Sequence, residues 1–476
     1  MDDSTTPVTD SATASGLPAL TDLVPLLLPH LVAWMPAQRW YAAKSAAPSD
    51  VCLVASAVVA QTGRDQVLDV VVRVGTAPRT TDYQVPLVLS PADAAPAAHG
   101  DPAAEIAVLA VPGGSVRVQD ATRTAVGRAA LLGVVVDGRE IAGDGLRLRG
   151  EPVAGRGRGR IVSSRLLSGE QSNSSMIVEL DGAAPVIAKL FRVLQSGDNP
   201  DVVLQGALDA AGSEQVAPLI GAARVTWGEG ADADESGHAL FIQEFLTGVE
   251  DAWRVALRDA VAGVDFSAGA RSLGEATARV HRDLADRLPT LDPSPAERER
   301  LVSSMLARLE EARAEVPAVD AAAEPLAAVI RRTLDVAWPP FQRIHGDYHL
   351  GQVLAVPDRG WVLLDFEGEP MRPLAERSLP DCPVRDVAGM LRSLDYAAGA
   401  VLLEHATDVS AWAARARDAF LAGYREIAQI PDDDAVFAVL LAAFEADKAV
   451  YEALYEARNR PAWAPIPLAA LERIAG

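Results

Sequence analysis

Residues 344–354 read Ile344-His345-Gly346-Asp347-Tyr348-His349-Leu350-Gly351-Gln352-Val353-Leu354, and residues 363–370 read Leu363-Leu364-Asp365-Phe366-Glu367-Gly368-Glu369-Pro370. Between them lies a short apolar strand, Trp361 to Leu364, that ends at an aspartate. Phosphoryl transfer asks for little covalent help. It needs a carboxylate to receive the acceptor's hydroxyl proton, and oxygen ligands that hold Mg²⁺ against a triphosphate. Asp347, on a tight loop, fits the first role. The Gln352 amide five residues on and Asp365 at the strand end fit the second. A His-Gly-Asp turn alone is common, and so is an apolar strand ending in Asp-Phe; the two at this spacing make the signal.

Upstream, residues 161–246 alternate strands and turns. Ile161 to Leu167 and Met176 to Leu180 flank the turn Ser168-Gly169-Glu170-Gln171-Ser172-Asn173-Ser174-Ser175. Its backbone N–H groups and the hydroxyls of Ser172 and Ser174, with Asn173, are candidates to cover phosphates. Val186 to Phe191 is a strand with one lysine, Lys189, in an apolar run. Such a lysine must reach water or meet negative charge, and contact with the α- and β-phosphates is the functional reading. The strand ending Gln243-Glu244-Phe245-Leu246 falls where kinases place the hinge whose backbone groups bind adenine, and that resemblance makes it the candidate adenine-binding segment. From Trp253 onward helical periods dominate.

The loop resembles that of the aminoglycoside-phosphotransferase-like branch of the protein-kinase fold, His-Gly-Asp-x-His-x-x-Asn, with Gln352 in place of the last residue. That glutamine, the run Asp365 to Pro370 and Gln171-Ser172-Asn173-Ser174 resemble actinobacterial maltokinases and the related glucosamine kinases. Pro383 to Tyr396 and the helical stretch Phe444 to Trp463 extend the likeness to roughly residues 160–470. Gln38-Arg39-Trp40-Tyr41 is similar to the opening of the maltokinase cap. The resemblance implies an α+β, bilobal protein-kinase-like fold with an N-terminal mixed α/β cap, using ATP and Mg²⁺ to phosphorylate a sugar. The expected segments are a disordered leader (1–16), a cap (17–90), an intermediate subdomain and linker (91–158), a β-rich nucleotide lobe (159–248) and a helical catalytic and sugar-binding lobe (249–476). Gly155 to Arg160 reads as a flexible joint.

In the helix before Pro461, Asp447, Tyr451, Tyr455 and Arg458 share one face, and Glu445, Lys448, Glu452 and Glu456 fall on another. Rings for a sugar's C–H faces and carboxylates for its hydroxyls make Asp447, Tyr451, Glu456 and Trp463 the candidate acceptor residues. A solvated helix with i,i+4 ion pairs would show the same pattern, and the resemblance favours the sugar site. Two departures bear on the substrate. Val203 stands where maltokinases carry a helix glutamate, so either Asp201 pairs with Lys189 or nucleotide alone does. Gly248-Val249-Glu250-Asp251-Ala252-Trp253 carries more carboxylate than the maltokinase element. With the acidic balance, these lean the expectation towards glucosamine, giving glucosamine 6-phosphate, over maltose, giving maltose 1-phosphate. An aminoglycoside phosphotransferase and a non-catalytic kinase-fold binding protein are more remote readings.

At 476 residues the chain has room for about two to four domains, and 49% apolar residues suffice for sizeable cores. A net charge of −22 argues against nucleic acid or anionic membrane as partner. Cys52 and Cys382 show no metal-ligand spacing, which fits a reducing compartment. No apolar window approaches membrane length, and Met1 to Gly16 has no basic start. A cytoplasmic monomer is expected.

Overall fold

The computed structural model describes residues 17–18, 20–43, 50–77, 79–93, 101–167, 172–228, 235–369 and 372–476. They form two compact units, one spanning 1–199 and 218–245, the other 200–217 and 246–476.

The first unit is built on two antiparallel sheets. One has the order β1-β2-β3-β5-β4, from β1 (Val51–Thr62), β2 (Asp65–Thr76), β3 (Arg79–Pro91), β4 (Glu105–Val111) and β5 (Gly114–Asp120). The other runs β6-β7-β12-β13-β10-β9-β8, from β6 (Glu140–Ala142), β7 (Leu146–Pro152), β8 (Arg160–Leu166), β9 (Asn173–Asp181), β10 (Val186–Phe191), β12 (Leu219–Trp227) and β13 (Glu235–Glu244); the short β11 (Val193–Leu194) pairs with β3. The two-residue period of a strand explains how the first sheet is buried on both faces. Along β2, Leu68, Val70 and Val72 pack with Leu23, Leu27 and Leu31 of helix Leu20–Trp34. Val67 and Val71 face a second core shared with Leu131 and Val135 of helix Ala125–Val136 and with Leu148, Met176, Ala188 and Val225 of the other sheet.

The expected segmentation at 91–158 is corrected here. β4 and β5 complete the first sheet, and β7 enters the second through its pairing with β12. Nor is 155–160 a free joint. The Arg156 guanidinium donates to the Leu219 carbonyl (2.8 Å), and a Cβ on Gly157, whose φ is +66°, would lie 2.4 Å from Ile220 Cγ2.

The second unit is helical, with one small sheet of β14 (Glu250–Asp251), β15 (Val353–Val356) and β16 (Gly360–Leu363). Helix Pro200–Ala211, expected in the β-rich lobe, belongs to this unit: the Leu363 amide donates to the Gln215 carbonyl (2.7 Å) and Arg359 to that of Glu214 (2.6 Å). Helices Ser267–Arg287, Val384–His405, Ser410–Ala428 and Ala435–Asn459 surround the core, with Leu273, Met390, Phe420 and Phe444 inside it. Among the described residues no helix is long and apolar enough to cross a membrane.

Helices Ser267–Arg287 and Ser410–Ala428 meet through glycine. A Cβ on Gly274 would stand 2.0 Å from the Phe420 carbonyl oxygen. Gly274→Ala should therefore destabilise this unit by about 1–3 kcal/mol, read as a lower midpoint in thermal or urea unfolding. Gly263→Ala, at a helix C-terminus with φ +68° and nothing within 4 Å, should cost only the left-handed backbone penalty, about 1–2 kcal/mol. Equal stability of Gly274→Ala and the parent would refute the close packing.

Candidate active site

The loop carrying Asp347 is held by one stripe of helix Val384–His405. The backbone amides of His345 and Gly346 donate to the two oxygens of Asp386 (2.8 and 2.9 Å). One turn on, Gly389 leaves room for the Tyr348 carbonyl, which would lie 2.6 Å from any Cβ there. One further turn on, Ser393 Oγ accepts the Leu350 amide (3.0 Å). Asp386 is buried and also accepts from His281 Nε2 (3.0 Å), whose Nδ1 takes the Tyr424 hydroxyl (3.0 Å). Burial pushes the Asp386 carboxyl up, but His281, His345 and the loop amide outweigh it, so its pKa falls below the ordinary value. Asp386 is a positioning residue inside the stretch Pro383 to Tyr396, to which the sequence assigned no task; a carboxylate one helical turn before a glycine was the available signal.

Asp365 sits just past β16 with φ +61°, unusual for a residue with a Cβ. His345 Nε2 donates to the preceding Leu364 carbonyl (2.8 Å), and the following Phe366 amide donates to buried Asp201 (2.9 Å). Gln352 Nε2 lies 3.0 Å from Asp365 Oδ2. Asp201, Asp365 and Glu367 each place one carboxylate oxygen within 4.8 Å of the others. Three like charges this close favour a cation among them, and Gln352 can offer its amide oxygen by a half-turn. Asp201 and Glu367 were not on the expected metal list. Asp201 also accepts from Gln205 (2.9 Å), one helical turn on.

Beside the Asp347 loop opens a cleft of about 490 Å³, with His349, Gly351, Gly389 and Ser393 in its wall. Helix Ala435–Asn459 contributes Lys448, Tyr451, Glu452, Tyr455 and Glu456, a stripe spaced by three and four residues. This straddles the two faces drawn from the sequence. Trp463 stacks on Tyr396 across the cleft (centroids 6.3 Å apart, 21°), and Trp253 completes the lining. Lys448 Nζ is 3.6 Å from Asp347 Oδ1. Burial lowers the pKa of neighbouring His349, whose charged form loses more hydration than Asp347 returns.

Several expected acceptor groups are already engaged. Asp447 lies outside the cleft, on a small adjoining recess, with its two oxygens on Arg308 and Arg385. With both oxygens on arginines and no part in the cleft wall, it loses the acceptor role expected for it. Glu456 accepts from Arg460 (2.6 Å) and from the Tyr396 hydroxyl (3.1 Å). Glu452 accepts from buried Arg392 (2.9 Å), although burial still raises its pKa. Glu250 pairs with Arg258, and Asp251 caps helix Ala252–Ala262 through the Arg254 amide (2.8 Å). The extra carboxylate there is structural, and only Trp253 of that run lines the cleft. Glu369 hydrogen-bonds the Tyr451 hydroxyl in the recess, and burial, then Glu369 and Asp347, push that phenol up to about 12.

In the first unit, residues 168–171 of the expected phosphate turn lie outside the described residues. Lys189 pairs with Ser175 on β9 and with Phe241 on β13, so these share one face of the sheet, and Gln243 follows on the same face. Asn173, opposite Phe191, is on that face too. Ser174 is not. It pairs with Leu190, on the face packed into the core, and its Oγ accepts from Arg192 Nε (2.8 Å). This corrects the expectation that Ser174 meets the phosphates. Ser172 is exposed just ahead of β9. The Glu244 and Phe245 amides already donate to Pro218 (2.9 Å) and Pro185 (2.8 Å), and the chain enters the second unit at Leu246.

Against known proteins, residues 164–436 match the model of the phosphotransferase enzyme family, and residues 34–123 that of the maltokinase N-terminal cap domain. A glucosamine kinase of Streptacidiphilus jiangxiensis is 31% identical over 66% of this chain and 72% of its own length. A second, from Mycolicibacterium smegmatis, is 29% identical over 64% of this chain and 78% of its own. A solved glucosamine kinase in complex with glucosamine, ADP and inorganic phosphate superposes with a TM-score of 0.69 at 25% identity, covering 96% of this chain and 99% of that one. With more than half of its length matched by the family model, and with the Asp347 loop and the Asp365 strand end inside the match, the chain belongs to the phosphotransferase enzyme family.

Proposed function

We propose that this protein transfers the γ-phosphoryl group of ATP to a sugar hydroxyl, with glucosamine as acceptor and glucosamine 6-phosphate as product. The observation that carries the reading is the cleft beside the Asp347 loop, walled by Tyr396, Tyr451, Tyr455, Trp253 and Trp463. Aromatic rings cover the C–H faces of a pyranose, and the hydroxyls between them find polar partners. The named glucosamine kinases among its relatives, one of them solved with ADP, support both acceptor and nucleotide.

Asp347 orients the acceptor hydroxyl and takes its proton as the phosphoryl group leaves. Lys448 fixes that carboxylate from one side. Asp365 and Gln352, with Asp201 and Glu367, would hold Mg²⁺, which neutralises triphosphate charge when bound. Lys189 meets the phosphates from its face of the sheet, and Gln243 to Leu246 bind the adenine through backbone groups not already used. With Glu452, Glu456 and Asp447 on arginines, Glu369 and Asp347 are the carboxylates that flank Tyr451, and a protonated amine is favoured among them.

Asp347→Asn should lower kcat by about 10²–10⁴-fold with KM for ATP nearly unchanged; a loss confined to ATP affinity would make Asp347 a nucleotide ligand. Steady-state kinetics with glucosamine, glucose, maltose and kanamycin, followed by ADP release, should give the highest kcat/KM for glucosamine. The match to a maltokinase cap makes maltose the competing acceptor, and a higher kcat/KM for maltose would establish a maltokinase instead. Glu369→Gln should reduce kcat/KM for glucosamine at least several-fold more than for glucose, since only the amino sugar loses a charge partner. Equal losses on both sugars would remove Glu369 from amine recognition.

A further inference from the structure

The first unit holds a second cavity, of about 590 Å³, that the proposed reaction does not use. It is lined by the Gln38-Arg39-Trp40 motif, by Asp101, Asp120, Arg123 and Arg128 around the end of β5, and by Ser164 and Ser174 of β8 and β9. Ser164 and Ser174 reach it from the core face of the sheet, while Asn173 and Arg165, which alternate with them on the Lys189 face, border it at the β8–β9 edge. Ser174 pairs with Leu190, and Ser164 with Val178, on the face of the sheet opposite Lys189.

Its charges do not cancel. Arg123 pairs with Asp101 (2.7 Å) and Arg192 with Asp120 (3.1 Å). Arg128, only 8% exposed, has neutral partners instead: Nε donates to Ser164 Oγ (2.8 Å), Nη2 to the Ser164 carbonyl (2.8 Å) and Nη1 to the Thr122 carbonyl (3.0 Å). Among the described residues no carboxylate lies within ion-pair distance of it. Three hydrogen bonds thus fix a buried guanidinium whose electrostatic partner, Asp101, stays beyond ion-pair distance and is already paired with Arg123, an arrangement that an anion would complete. Exposed Arg39 stands at the same cavity, and Arg192 lies over the Trp40 ring (4.7 Å), which holds the motif in place.

We infer that this cavity is a binding site for a phosphoryl-bearing small anion, held by Arg128 and Arg39 rather than by Lys189. Guanidinium suits this ligand class because its planar fork matches two oxygens of one phosphoryl group. Two of the five N–H groups of Arg128 are left for it after the three bonds above.

The test is calorimetric titration of the nucleotide-free full-length protein with inorganic pyrophosphate, and separately with inorganic phosphate. Saturable binding of at least one of them is expected. It should survive Lys189→Met and weaken about tenfold or more in Arg128→Gln, which keeps a polar donor but removes the charge and the guanidinium fork. Arg39→Gln, at an exposed position with no folding role, should weaken it as well, so a folding defect in Arg128→Gln cannot carry the result alone. Binding abolished by Lys189→Met and untouched by the arginine variants would place the anion on the nucleotide face and overturn the inference. Absence of saturable binding for both anions would overturn it equally.

Discussion

The Asp386 carboxylate is the constraint on which the rest of the site depends. Two consecutive amides of the catalytic loop converge on it, and it can accept both only because Gly346 turns the chain at φ +82°. A buried carboxylate taking several N–H bonds stays ionised, and each charge-assisted bond contributes about 1.5–3 kcal/mol. The loop therefore has one low-energy path, and Asp347 leaves it in one direction. Gly389 and Ser393 repeat the attachment along the same helix stripe, and Tyr396, one turn further, enters the cleft. One helix face thus positions both Asp347, the proposed base, and part of the wall of the cleft.

The same clamp reaches the Asp365 loop through backbone contacts. A Cβ on Gly346 would lie 3.3 Å from the Gly368 Cα, so the two loops touch where neither carries a side chain. His345, whose amide is on Asp386, passes its ring N–H to Leu364, one residue before Asp365. Asp365 is then held in a left-handed conformation that a non-glycine residue adopts only where its surroundings over-determine it. Asp201 supplies the remaining restraint by accepting the Phe366 amide. Preorganisation of this kind would put the carboxylate oxygens proposed for the cation in place before any charge has to be met.

What the sequence made legible is what is local. Residues 344–370 carry their loop, strand and carboxylates within one contiguous stretch, and the strands around Lys189 show in a run of six residues. The register that turns Ser174 away from Lys189 follows from counting alternate residues along β9, once its partner is known. Other features depend on distant partners. β7 joins β12 across about seventy residues, so a change in composition near 91–158 marked no boundary. The polar face of helix Ala435–Asn459 could be drawn two ways, and the choice rests on Arg308, Arg385 and Arg392, which reach Asp447 and Glu452 from other helices.

Those arginines also change what the acidic composition means. A net charge of −22 suggests a negative acceptor cleft, yet the carboxylates nearest it are largely neutralised by guanidinium groups bonded at 2.6–2.9 Å. Buried pairs of this type contribute little net stability, because desolvation offsets their attraction. They do fix geometry: Arg392 and Arg460 hold Glu452 and Glu456 upright behind the aromatic wall. In the proposed reaction, attraction for a cationic acceptor falls to Glu369, in the recess that shares Tyr451 with the cleft, and to Asp347 beside Lys448. An amine drawn there would bring its sugar's hydroxyls towards Asp347, so on the proposed reading the same local imbalance of charge would serve recognition and alignment together.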